Sequence, residues 1–111
     1  MDFDEYQTQA SKTATFEGKD PTYVRMYLSL GVAGESGELI EKVKKVVRND
    51  GGEVSAEKRE AIKHEIGDVL WYLSQLARSL GIPFSDAAKA NLDKLADRAA
   101  RGVIKSEGDT R

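Results

Sequence analysis

The chain has 111 residues, a net charge of -2, 40% apolar and 32% charged residues, and no cysteine. That length and balance fit one soluble domain with a modest core that self-association would help to complete. They argue against general nucleic-acid binding, attraction to acidic membranes, disulfides and thiolate chemistry. With a polar, acidic N-terminus and no apolar run of membrane-spanning length, a cytoplasmic protein is expected.

The first helix is predicted over roughly 3–16. Asp20-Pro21 reads as an N-cap followed by a first-turn proline and opens a second helix, roughly 21–48. Asn49-Asp50-Gly51-Gly52 ends it in a turn. Ser55 caps a third helix over roughly 56–80. Gly81-Ile82-Pro83 stops that helix and starts a fourth, roughly 84–101. No segment alternates with period two, so the fold is expected to be all-α, and short connections favour an antiparallel four-helix bundle. One domain over 1–111 is expected, with 102–111 as a frayed tail.

On the second helix, Leu28, Val32, Leu39, Val43 and Val46 fall within a sector of roughly 60° on a helical wheel. Glu35 lies inside that apolar sector, and Glu38 flanks it three residues on. On the third helix the stripe is Ile62, Ile66, Val69, Leu73, Leu76, Ala77 and Leu80, with Glu65 at its shoulder and Asp68 one turn along. One acid pair at i, i+3 is ordinary on a solvated face; two pairs, each beside a buried stripe, are not. Packed together, four carboxylates would repel one another and pay for desolvation unless cations share the site. Oxygen donors without cysteine favour Mg²⁺, with Mn²⁺ as the alternative, and Mg²⁺ held this way takes substrate phosphates as further ligands. A di-iron centre would need Glu-x-x-His, and the only histidine, His64, has Ala61 three residues before it.

The fourth helix is expected to bury Leu92, Leu95, Ala96 and Ala99. Asn91, Lys94, Arg98 and Arg101 lie along another face and suit a polyphosphate, although cations near a helix C-terminus also serve to offset its dipole. Lys42, Lys44, Lys45 and Arg48 close the second helix as a dipole-matched surface from which Lys44 or Lys45 can reach a phosphate. Trp71, opposite its helix's apolar stripe, suggests a subunit contact or a base-stacking surface.

Glu35-Ser36-Gly37-Glu38 followed after 26 residues by Glu65-Ile66-Gly67-Asp68 resembles the E-x-x-E…E-x-x-D signature of MazG-like nucleotide pyrophosphohydrolases. Asn91-Leu92-Asp93-Lys94-Leu95 with Arg98 is similar to that family's Asn/Lys/Arg element. The resemblance spans about residues 24–102. It implies Mg²⁺-dependent hydrolysis of nucleoside triphosphates between the α and β phosphates. Glu35, Glu38, Glu65 and Asp68 would hold metal, and Glu38 would accept a proton from water. Lys94, with Arg98, would steady phosphate charge, and Asn91 would bind the nucleotide. A homodimer or homotetramer is implied as well. Two alternatives are a phosphoribosyl-ATP pyrophosphohydrolase, which shares the metal motif, and a non-catalytic helical interaction module.

Overall fold

The computed structural model describes residues 1–102, so the expected tail lies, apart from Gly102, outside the described residues. These residues form four helices: α1 (Phe3–Ser11), α2 (Pro21–Asp50), α3 (Ala56–Ser79) and α4 (Phe84–Ala100). Among them there is no strand, and no helix is long and apolar enough to cross a membrane.

The caps sit where the sequence places them. Asp20 accepts from the Tyr23 amide at 3.1 Å, and Ser55 accepts from the Lys58 amide at 3.2 Å. Gly51 and Gly52 turn the chain out of α2 at φ +63° and +85°, where a side chain would be strained. At this turn Lys58 pairs with Asp50. The short connection makes α2 and α3 an antiparallel pair, the most extensive helix contact in the described residues. Midway along their seam the Tyr72 ring lies so close to Gly31 that an added Cβ would fall 2.2 Å from it. A glycine is therefore required for the two helices to approach there.

Three expectations are corrected by the packing. First, α1 ends at Ser11 rather than near 16. The Ser11 and Thr13 hydroxyls bond back to the Thr8 and Ala10 carbonyls, and the Trp71 indole N–H takes the Ala10 carbonyl at 3.2 Å and Thr13 Oγ1 at 2.9 Å. These side chains compete with continued helix for the same backbone groups. They also make Trp71 a half-buried tie between α3 and α1.

Second, the most buried side chains of α3 are not its apolar stripe. Ser74 and Gln75 are fully enclosed, whereas Ile66, Leu73 and Leu80 are exposed. The reason is that α1 packs on the far side of α3 from α2. Gln7 of α1 donates to the Ser74 and Ile82 carbonyls, both at 3.0 Å, and Gln75 donates to the Gln7 carbonyl at 3.2 Å.

Third, α4 exposes Leu92, Ala96 and Ala99 and buries Arg98. This helix packs on α1 and α3 and makes no contact with α2 among the described residues. Its first turn is capped from outside. Pro83 offers no side-chain cap, so the Phe84 amide donates to Gln7 Oε1 at 3.1 Å and the Ser85 amide to Asp4 Oδ1 at 2.8 Å.

Candidate metal centre

The carboxylates come together midway along the α2–α3 seam. Glu35 and Glu38 sit one turn apart on α2, facing Glu65 on α3, and one carboxylate oxygen from each lies within 4.8 Å of the others. Glu35 and Glu65 are partly buried and Glu38 is exposed. Asp68, one turn after Glu65, falls outside this tight group but lines an open cleft of about 310 Å³ with Glu35, Trp71 and Tyr72.

Glu35 Oε2 and Glu65 Oε2 are buried and accept no hydrogen bond among the described residues. Burial pushes the Glu35 carboxyl above its ordinary range, and the charges of Glu38 and Asp68 push it further the same way. Two phenols, Tyr6 and Tyr72, respond to the same field. Burial and then the Asp68 charge raise Tyr6, while Tyr72 is raised by burial first and, more weakly, by Glu35 and Asp68. Two buried oxygens without donors, in a set made only of carboxylates, fit a hard divalent cation.

One cation already touches the set: Lys42 Nζ lies 3.5 Å from Glu65 Oε1. From the sequence, Lys42 is expected among the cations that close α2 as a dipole-matched surface. The missed signal is its position one turn after Glu38, which carries it along the same face of α2. Tyr72, four residues after Asp68, carries the same helical-spacing signal.

The α4 residues stand apart within one protomer. Asn91 and Lys94 are exposed on α4, which does not reach α2, and Arg98 is 5% exposed. Arg101 is paired with Asp97 at 2.8 Å on the surface. His64 is exposed, lies 3.5 Å from Glu60 and is not part of the three-carboxylate group.

Comparison with known proteins adds a family. The model of the MazG nucleotide pyrophosphohydrolase domain matches residues 26–103, which takes in both acid pairs and all of α4. The chain is 41% identical over 114 residues to the "Gene 37 protein" of Mycobacterium phage L5, and the match covers 100% of both chains. No solved structure matches it. On the family match, with the paired acids meeting across two helices, the chain belongs to the MazG nucleotide pyrophosphohydrolase family.

Proposed function

We propose that the protein hydrolyses nucleoside triphosphates between the α and β phosphates, releasing the monophosphate and pyrophosphate, and that it needs Mg²⁺ to do so. The observation that carries this is the pair of buried, partnerless oxygens of Glu35 and Glu65 inside a three-carboxylate group. Such a group is costly to fold unless a cation completes it. Glu35, Glu38 and Glu65 would hold the ion, with Asp68 beside them. When bound, Mg²⁺ supplies charge neutralisation for the phosphates and lowers the pKa of a coordinated water.

The chain's own groups divide the remaining work. Glu38 is the exposed one of the three acids, so it takes the proton from the attacking water. The water oxygen bonds to a phosphorus of the α–β anhydride; the bridging P–O bond breaks, and its electron pair leaves with the departing phosphate. Asp68, Trp71 and Tyr72 wall the open cleft beside Glu35.

The working form is proposed to be a homo-oligomer. Only Ala10, Leu28 and Val46 are buried apolar residues among those described, whereas Met26, Leu30, Ile40, Val47 and Leu92 are each more than 60% exposed. That much uncovered apolar surface on two helices calls for a partner face. A second copy would also give Asn91 and Lys94 a route to the acids that their own protomer denies them.

The test is a panel of canonical and modified nucleoside triphosphates assayed for pyrophosphate with Mg²⁺. Release with Mg²⁺ and none with chelator is the expected result. Turnover confined to phosphoribosyl-ATP would reassign the substrate. No turnover, together with a thermal melt unmoved by Mg²⁺ and nucleotide, would leave only an interaction module.

A further inference from the structure

Helix α4 leaves α3 at the Gly81-Ile82-Pro83 corner, and α1 sets how it leaves. Gln7, 8% exposed, spends its whole amide there. Its Nε2 donates to the Ser74 and Ile82 carbonyls, both at 3.0 Å, and its Oε1 accepts from the Phe84 amide at 3.1 Å. One turn earlier on α1, Asp4 takes both donors of Ser85, the amide at 2.8 Å and the hydroxyl at 2.6 Å. Phe3 stands edge-on to Phe84 with ring centroids 5.4 Å apart. Among the described residues α4 touches only α1 and α3, so α2 gives it no support. The stretch that matches the family begins at residue 26 and holds α4 but not α1. The clamp on α4 therefore comes from outside that stretch.

The side chains that α4 presents differ in what they have left to offer. Lys89 is held by Asp93 at 2.7 Å, Arg101 by Asp97 at 2.8 Å, and Arg98 is buried. Lys94 is exposed and pairs with no carboxylate among the described residues, and Asn91 is exposed one turn before it. Lys94 stands ten residues after Phe84. That is about 15 Å of helix, so a tilt of about 20° at the corner carries the Lys94 backbone about 5 Å. A displacement of that size is enough to undo a phosphate contact. A side chain at the end of such a lever acts at a fixed place only if the corner is fixed.

We propose that Asp4 and Gln7 are positioning residues for the nucleotide: by fixing the α3–α4 corner they hold Asn91 and Lys94 in the orientation from which these meet the substrate. This rests on the hydrolase reading above and adds α1 to the working parts of that enzyme.

The test is made on the full-length protein with Asp4→Ala and two controls. Asp4→Asn keeps an acceptor for the Ser85 amide. Asp20→Ala removes a cap of the same kind from α2 and leaves the α4 corner alone. Circular dichroism checks that each variant is folded, amide hydrogen exchange reads the first turns of α4, and pyrophosphate release separates KM from kcat. In Asp4→Ala, α4 should exchange faster and KM for the triphosphate should rise about fivefold, the weight of one helix cap. Its kcat and Mg²⁺ affinity should stay as in wild type. Asp4→Asn should recover most of the loss. Asp20→Ala should lower the melting temperature without moving KM. Phe3→Ala, at an exposed position, loses only the ring contact with Phe84 and should shift α4 exchange and KM the same way by less, a second reading if Asp4→Ala does not fold. The assignment is overturned if α4 exchanges no faster in these α1 variants, if it loosens while KM stays, or if Asp20→Ala raises KM as much. Those results leave wild-type turnover intact and sink the positioning role alone. No wild-type turnover of any triphosphate removes the hydrolase reading and this role with it.

Discussion

Helix α3 buries polar groups in two places, and the two are satisfied differently. Around Ser74 and Gln75, the amide of Gln7 donates twice, Gln75 donates to the Gln7 carbonyl and to Ser74 Oγ, and the α4 amide of Phe84 closes the set on Gln7 Oε1. Two to three turns earlier, Glu65 and its neighbour Glu35 each keep a buried oxygen with no donor. The first region is an internal tie that joins three helices, and its hydrogen bonds are complete within the chain. The second is incomplete by the same count. Among the described residues, that contrast separates a polar cluster satisfied within the chain from one that a cation could complete.

Substitutions can break this contrast. Largest in effect should be Glu38→Gln. It keeps shape and removes the proton acceptor, so pyrophosphate release should fall on the order of 10²–10⁴-fold with an unchanged circular dichroism spectrum. Retained turnover would take Glu38 out of the chemistry.

Next is Gln7→Ala, which strands the Ser74 and Ile82 carbonyls and uncaps α4. At about 1–3 kcal/mol for a buried polar group left unpaired, it should lower the melting temperature clearly while leaving Mg²⁺ affinity as it was. A loss of Mg²⁺ binding without loss of stability would erase the distinction between the two regions.

Smallest in its effect on stability, and opposite in sign, is the change at Glu35. In the metal-free protein its folded-state pKa is raised above the ordinary 4.5, with burial as the first cause. The folded state therefore holds more protons than the unfolded state in the window from 4.5 upward to the raised value. Stability from this group is present below that window and is lost as pH rises through it. Melting curves with chelator should show protection on acidification through this range, and Mg²⁺ should shrink it. Glu35→Leu should flatten the profile and stabilise the metal-free fold at neutral pH by about 1 kcal/mol, while abolishing turnover. A variant equally stable and still active would show that Glu35 is not a buried charge at the centre.

Much of the fold was legible because it is written in local chemistry. Asp20 and Ser55 offer side-chain acceptors to free amides, and Gly51 and Gly81 reach conformations other residues resist. These depend on neighbours within a turn, so four helices and their limits could be read, with α1 the exception. The acids could be read too, since Glu35 conflicts with the stripe it interrupts. Helical periodicity could not tell which face of α3 meets α1, because both Leu73 and Ser74 lie on usable faces. Nor could it place Lys42 against Glu65, a contact made across two helices.

By itself, the sequence determined the helices, their caps and the spacing that sets two acids on each of two of them, because all of these are short-range properties of the backbone and its nearest side chains. Only the tertiary structure decided that Trp71 and Gln7 bind α1 to α3, that Arg98 turns inward on α4, and that the carboxylates lie beside an aromatic cleft. Each of those outcomes depends on which surface is left to pay for burial once the helices have packed, and distant segments settle that together.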